Sequence, residues 1–196
     1  MAIRRAQQIG IWIIVIALTV GTIASFVAIV LANENDRTQQ IQQQEEYDRM
    51  IEEYTKQQEE AARQNAENSE PLEGYSAEPF DASSVTELRV DVLREGDGQV
   101  VSEDDTINAS YFGWISDGTI FDSTNKKDAD NVPIDFSLQQ VIEGWTEGLS
   151  GQKVGSVVKL TIPADQAYGD TASGVIPANA PLQFIVIINS IVEQTE

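Results

Sequence analysis

The sequence predicts an α+β domain whose curled antiparallel sheet of about five strands wraps around one short helix. Apolar and polar residues alternate through most of residues 85–196, which is the period of a strand with one buried face. Turn-forming Gly and Asp residues separate the alternating runs. Within this region helical spacing is confined to residues 142–149, where Ile142, Trp145 and Leu149 fall at i, i+3 and i+7.

The first predicted strands lie before residue 125. The apolar positions of residues 85–93 predict a bulged strand or a pair of strands, and residues 95–98 predict a turn. Residues 106–115 predict the next strand, and the Asp117-Gly118 pair is typical of the hairpin turn that would follow it. A further strand is expected to begin at residues 119–122.

The second half of the domain starts with a polar loop over residues 125–131, followed by a strand-like segment at 133–136. Residues 156–162 alternate strictly and predict another strand. The last predicted strand, residues 181–192, is apolar on both faces around residues 184–188. That pattern is typical of a central strand, which we expect the helix to cover on one side.

An apolar, uncharged run at residues 9–32 predicts a transmembrane anchor. As a helix it would be about 36 Å long, enough to cross a hydrocarbon core of ~30 Å. Arg4 and Arg5 precede the run, so the positive-inside rule places residues 1–8 in the cytoplasm. The rest of the chain is then expected on the outer side of the cell membrane, as part of a single-pass protein.

A cleaved signal peptide is the alternative interpretation of the same run. Val30-Leu31-Ala32 weakly resembles a cleavage site with small residues. The apolar run is, however, longer than the roughly 7–15 residues of a signal-peptide core. The length favours the retained anchor, and both interpretations export the remainder of the chain.

Residues 33–84 are acidic and Gln-rich and predict a polar, partly helical stalk that ends in a linker. Pro71, Gly74 and Pro79 break any helix, so residues 69–84 are expected to be an extended linker that holds the domain off the membrane. A thin stripe of residues at heptad-like spacing leaves self-association of the stalk open as an alternative. The stripe consists of Tyr47, Ile51, Tyr54, Gln58 and Ala61.

The charge and the residue types exclude several classes of function. The net charge is −20, and no basic patch offsets it, so binding to nucleic acid is not expected. The chain contains no His and no Cys, which excludes most catalytic triads, zinc sites and disulfide frameworks. We expect no metal and no cofactor.

Five short motifs in residues 85–192 occur in the order found in the FKBP-type peptidyl-prolyl cis-trans isomerases, which this region therefore resembles. Each motif is weak alone, and the ordered set is specific. The motifs are Tyr111-Phe112-Gly113, Asp117-Gly118-x-x-Phe121-Asp122-Ser123, Val141-Ile142-x-Gly144-Trp145-x-x-Gly148-Leu149, Ala167-Tyr168-Gly169, and Ile176-Pro177 with Leu182-x-Phe184.

The resemblance implies an apolar pocket for a proline ring, with Trp145 as its floor and a main-chain N–H of Ile142 and a hydroxyl of Tyr168 as donors to substrate carbonyls. Asp122 would lie at the rim, near the Tyr111 hydroxyl. The implied catalytic residues are Tyr111, Phe121, Asp122, Trp145, Tyr168 and Phe184. The implied substrate-binding residues are Val141, Ile142, Ile134, Val175 and Ile176.

The activity implied is isomerisation of X–Pro bonds in exported or surface proteins, with proline-containing polypeptides and the macrolide ligands of the family as partners. The alternative is a module that binds proline segments or a partner with weak or no catalysis. Two departures from the family pattern motivate that alternative. Ile134 stands where many members place an aromatic wall, and the loop after Asp122 offers Lys126 and Lys127 but no arginine.

Overall fold

The computed structural model describes the backbone of residues 37–192 and the side chains of residues 43–192. The predicted anchor, residues 9–32, and residues 1–8 lie outside the described residues. Among the helices of the described part, none is long and apolar enough to cross a membrane. By its contacts the chain divides into two compact units, Met1–Tyr54 and Thr55–Glu196, of which the second contains the sheet.

The Gln- and Glu-rich part of the predicted stalk forms one helix, α1, at Arg37–Asn68. Its sequence is rich in Gln, Glu, Ala and Arg, which have high helix propensity. The helix ends before Pro71, which cannot donate a main-chain hydrogen bond and restricts the residue before it. The sequence predicted partial helix here, and the structure has a continuous one of 32 residues.

The domain is built on a single antiparallel sheet of six strands, where about five were predicted from the hydrophobic period. The strand order is β1-β5-β6-β2-β3, and β4 also pairs with β2. The strands are β1 (Arg89–Arg94), β2 (Thr106–Trp114), β3 (Ile120–Ser123), β4 (Ile134–Ser137), β5 (Val157–Ile162) and β6 (Leu182–Ile191).

Strand β2 organises the part of the sheet that carries the site. Its first half pairs with β4 and its second half pairs with β3, so these two short strands follow one another along the same edge of β2. Its other edge pairs with β6, which lies between β2 and β5 as the central strand that its apolar composition predicted. β1 is a single strand with a bulge between Val92 and Arg94, which is one of the two alternatives predicted for this region.

A short helix, α2 (Glu143–Leu149), packs on the face of the sheet that we call the inner face. Two glycines allow the helix to approach β5 closely. A Cβ atom at Gly144 would lie 2.4 Å from Cγ2 of Ile162, and one at Gly148 would lie 2.6 Å from Cδ2 of Leu160. Trp145 and Leu149 of the helix therefore belong to the main hydrophobic core, the cluster of apolar side chains between the helix and the inner face of the sheet. They are 4% and 0% exposed.

The opposite, outer face of the sheet carries a second hydrophobic cluster. Phe112 and Trp114 of β2 form part of it, together with Leu72, which is 3% exposed and precedes the sheet in sequence. The indole N–H of Trp114 donates a hydrogen bond of 2.9 Å to the main-chain oxygen of Glu78. The main-chain N–H of Phe80 donates one of the same length to the main-chain oxygen of Ser116. Residues 72–80, within the segment predicted to be an extended linker, thus cover this face.

Candidate active site

A β-bulge places two consecutive residues of β3 at the inner face. Trp114 pairs with Ile120 and Gly113 pairs with Asp122, so Phe121 has no partner in the register. Side chains normally alternate between the faces of a strand, and a bulge suspends that alternation locally. Phe121 consequently packs in the main core while the carboxylate of Asp122 reaches the Tyr111 side chain.

The predicted aromatic residues come together around the indole of Trp145. Tyr111 and Phe184 each meet the indole edge-on, with ring centroids 5.3 and 5.4 Å away and interplanar angles of 87° and 83°. Phe121 meets Phe184 in the same manner at 5.4 Å. Edge-to-face pairs of this kind fix the orientation of the rings as well as burying them. The result is a cluster of aromatic rings centred on Trp145, and we call Tyr111, Phe121, Trp145 and Phe184 the aromatic cup.

Phe136 of β4 also belongs to the aromatic cup, although it was not predicted from the sequence. Its ring lies 5.1 Å from Trp145 and 5.4 Å from Tyr111, in both cases edge-on. Ile134, which was predicted to contact the substrate, is 44% exposed two residues earlier in the same strand. The sequence contained a signal for Phe136. Residues i and i+2 of a strand lie on the same face, so the ring of Phe136 is expected on the face that carries Ile134.

The carboxylate of Asp122 is held by donors from three parts of the chain. Oδ2 accepts a hydrogen bond from the hydroxyl of Tyr111. Oδ1 accepts from Nδ2 of Asn65 at 2.8 Å, from the main-chain N–H of Ser123 at 2.8 Å and from Nζ of Lys126 at 3.1 Å. Lys126 therefore supplies the cation for which the sequence offered no arginine. Asn65 belongs to α1, and nothing in its sequence context marked it as a site residue.

Burial raises the pKa of Tyr111 well above its ordinary value, and the negative charge of Asp122 raises it further. The phenol is therefore a neutral hydrogen-bond donor at physiological pH. Tyr168 follows the 3-10 helix at Ala164–Gln166 and is 41% exposed. Burial, and then the charge of Asp122, raise the pKa of Tyr168 as well. Both hydroxyls stay protonated and able to donate.

The remaining predicted residues lie on two segments beside the cup. Val141 and Ile142 precede α2 and are partly buried against the main core. Ile142 is the N-terminal cap of the helix, so its main-chain N–H has no intrahelical acceptor. Val175 and Ile176 are carried by a tight turn closed by reciprocal main-chain hydrogen bonds of 2.9 Å between Ser173 and Ile176. Ile176 is 4% exposed, whereas Val175 is partly buried.

This arrangement is suited to binding a compact apolar ring and one or two carbonyl groups. The indole Nε1 of Trp145 is buried and has no hydrogen-bond partner among the described residues. In residues 37–192 no cluster of acidic side chains is arranged to hold a metal ion. The described groups of the site can enclose an apolar group and form hydrogen bonds beside it through the hydroxyls of Tyr111 and Tyr168.

Comparison with known proteins connects this geometry to a family. A family model described as FKBP-type peptidyl-prolyl cis-trans isomerase matches residues 98–189. The FK506-binding protein of Neisseria meningitidis serogroup B is 39% identical over 107 residues, which are 54% of this chain and 97% of that protein.

Longer relatives are matched over part of their length. The FKBP-type peptidyl-prolyl cis-trans isomerase FkpA of Escherichia coli is 36% identical over 131 residues, which are 67% of this chain and 47% of FkpA. The chain thus spans about half the length of these relatives. A solved structure of a peptidyl-prolyl cis-trans isomerase from Pseudomonas syringae pv. tomato aligns with a TM-score of 0.49 and 26% identity, covering 71% of this chain and 96% of that one.

Proposed function

This chain belongs to the FKBP-type peptidyl-prolyl cis-trans isomerase family, and we propose on that premise that it isomerises X–Pro bonds in polypeptides. The observation that supports the proposal most strongly is the aromatic cup. Tyr111, Phe136 and Phe184 each stand edge-on to Trp145, within 5.4 Å of its ring centroid. A pyrrolidine ring is apolar and compact, and such a cup buries it against ring faces and edges.

Isomerisation requires no nucleophile, because no covalent bond is broken. The barrier of ~18–20 kcal/mol is the amide resonance that is lost when the bond twists. The planar amide is charge-separated and the twisted amide is less so. An apolar pocket that excludes water therefore favours the twisted state over the planar one, and shape complementarity to the twisted form adds to that preference.

The polar groups at the rim would orient the substrate backbone. The main-chain N–H of Ile142 is available at the start of α2. The hydroxyl of Tyr168 is protonated at physiological pH, because a phenol ordinarily ionises near pH 10 and burial raises the pKa of this one further. Each would donate to a substrate carbonyl, while Asp122 holds the Tyr111 phenol at the edge of the cup. Their role is positioning of the peptide on either side of the proline.

A direct test is measurement of cis-to-trans conversion in a short proline peptide by the purified full chain. We expect acceleration over the uncatalysed rate and competition by a macrolide ligand of the family. Phe136→Leu should lower kcat/KM about three- to tenfold, since it removes two edge-on ring pairs. Phe80→Leu is the matched control, because Phe80 packs in the cluster on the outer face.

The same experiment separates catalysis from binding alone. If the peptide binds and Phe121→Ala weakens its binding, but no form accelerates isomerisation, the chain is a proline-binding module. If neither binding nor acceleration is observed, the assignment of the cup as a proline site is wrong. Phe121 suits this purpose because its ring contacts Phe184 and lies at the bulge.

We further propose that the domain acts outside the cytoplasm, on exported or surface proteins, and is attached to the cell membrane by residues 9–32. The apolar run, the preceding arginines and the net charge of −20 support this location. Added protease should cleave the C-terminal domain in cells whose outer barriers have been removed but whose cell membrane is intact. Protection of the domain until the membrane is lysed would contradict the proposal.

A further inference from the structure

Helix α1 contributes one side chain to the candidate active site. Nδ2 of Asn65 donates to Oδ1 of Asp122 at 2.8 Å and to the main-chain oxygen of Phe121 at 3.3 Å. Oδ1 of Asn65 accepts from Nζ of Lys126 at 2.6 Å. Asn65 lies outside residues 98–189, the segment that the family model matches. A residue from beyond that segment thus contacts the two residues placed at the inner face by the bulge.

The chemistry of its neighbours fixes the orientation of the Asn65 amide. A carboxylate accepts hydrogen bonds and an ammonium donates them. With its NH₂ toward Asp122 and its oxygen toward Lys126, the amide satisfies both. The flipped amide would place oxygen against the carboxylate and NH₂ against the ammonium. Asn65 therefore bridges the ion pair between Asp122 and Lys126, whose atoms are 3.1 Å apart.

The end of α1 is fixed to the loop that follows β3, so that Asn65 is held in place. The main-chain N–H of Lys127 donates to the oxygen of Asn68 at 2.9 Å, and that of Glu70 donates to the oxygen of Asn125 at 3.0 Å. The side chain of Asn125 also donates to the oxygen of Pro71 at 2.8 Å. Because these bonds already order the segment, little further entropy is lost when Asn65 binds Asp122.

The helix also contacts the turn that carries Val175 and Ile176. A Cβ atom at Gly174 would lie 2.5 Å from Cβ of Ala62, one helical turn before Asn65. Gly174 belongs to the tight turn between Ser173 and Ile176, which carries Val175 and Ile176. The last turns of α1 therefore touch both the Asp122 side of the site and the segment that carries Ile176.

We propose that Asn65 is a positioning residue of the isomerase site, which holds the Asp122 carboxylate so that its Oδ2 fixes the Tyr111 hydroxyl at the edge of the cup. This inference rests on the proposed function. It makes the end of helix α1 part of the active site. Without Asn65, Oδ1 of Asp122 keeps Lys126 and the N–H of Ser123, and the carboxylate is free to turn toward the lysine and away from Tyr111.

The test compares Asn65→Ala and the isosteric Asn65→Asp with Asn68→Ala in the full chain. Asn68 lies on the same helix with an exposed side chain, and is the matched control. We expect Asn65→Ala to lower kcat/KM roughly tenfold, the rate equivalent of one charge-assisted hydrogen bond. Asn65→Asp should lower kcat/KM further, because the substitution places a second carboxylate beside Asp122. Added salt screens the repulsion between the two carboxylates and should restore part of the loss.

Each variant is also made in a Tyr111→Phe background. The comparison separates an effect that acts through the Tyr111 hydroxyl from a general loss of structure, which would be the same in both backgrounds. If Asn65 acts through Asp122 on Tyr111, its replacement should have little further effect once the hydroxyl is gone. An equal loss in both backgrounds, or an Asn65→Ala variant as active as Asn68→Ala, would overturn the proposal. Absence of activity in the unmodified chain would instead overturn the proposed function.

Discussion

A Cβ atom at Gly113 would lie 2.5 Å from Cε1 of Phe184, so the glycine makes room for a ring of the aromatic cup. The same Cβ would lie 2.5 Å from Cζ of Phe121. Both rings are buried and cannot move away without disturbing their neighbours. Gly113→Ala should therefore destabilise the protein by about 1–3 kcal/mol and lower isomerase activity about tenfold or more. Urea unfolding and the proline-peptide assay measure the two effects.

A second substitution checks whether the clash with the Phe184 ring causes the loss of stability in Gly113→Ala. Phe184→Leu removes the ring atoms that the new methyl group would meet, so Gly113→Ala should cost less stability in that background. Activity should stay low in the double variant, because Phe184 is itself a wall of the cup. If Gly113→Ala alone leaves both stability and activity unchanged, the rings are not confined as described.

The raised pKa of Tyr111 predicts how stability changes in alkaline solution. Below about pH 10 the phenol is neutral in both the folded and the unfolded states, so it contributes no pH dependence. As the pH rises further, the unfolded state ionises first, because burial and Asp122 raise the folded-state pKa. Stability should consequently fall from about pH 10 upward, through the folded-state pKa.

Tyr111→Phe is the variant that isolates this effect. Its unfolding free energy should fall less steeply than that of the unmodified chain as the pH rises above about 10. Some slope will persist, because the pKa of Tyr168 is raised in the same direction. Urea unfolding at a series of pH values gives both curves, and parallel curves would contradict the environment assigned to Tyr111.

Leu72 tests whether the residues that cover the outer face belong to the folded domain. Its side chain is 3% exposed and packs in the cluster that contains Phe112 and Trp114. Leu72→Ala should cost about 2–5 kcal/mol of unfolding free energy, the usual range for a buried leucine. Denaturant unfolding of the full chain measures the loss.

Leu93→Ala is the control for this substitution, since Leu93 is 48% exposed on β1. It should change stability by less than about 0.5 kcal/mol. Equal and small effects of the two variants would show that residues 72–80 do not cover the sheet as described. A loss confined to Leu72→Ala would place the start of the folded domain before residue 85, the boundary that the hydrophobic period predicted.

The strands and the short helix were predictable because each is specified by local periodicity. Strand β5 was predicted at residues 156–162 and is found at Val157–Ile162. The helix predicted at residues 142–149 is found at Glu143–Leu149. Periodicity does not state which strands pair, and it assumes strict alternation. It therefore gave no sign of the bulge at Phe121 or of the end-to-end placement of β3 and β4 beside β2.

The candidate site was predictable where its residues form ordered motifs. Tyr111, Phe121, Trp145 and Phe184 were all named from the sequence, and the structure brings them into one cup. Phe136 was missed because the prediction considered Ile134 at the wall and not its neighbour on the same face. Asn65 was missed for a different reason, since it is 57 residues from Asp122 and only folding brings them together.

The sequence by itself determined the family, the aromatic residues of the cup and the strand periods, because short-range spacing and residue type carry those properties. Only the tertiary structure decided what surrounds them. It placed Lys126 and Asn65 on Asp122. It also packed Leu72 in one cluster with Phe112 and Trp114 of β2, on the outer face of the sheet. Contacts between distant segments depend on how whole elements pack, and local patterns do not encode that packing.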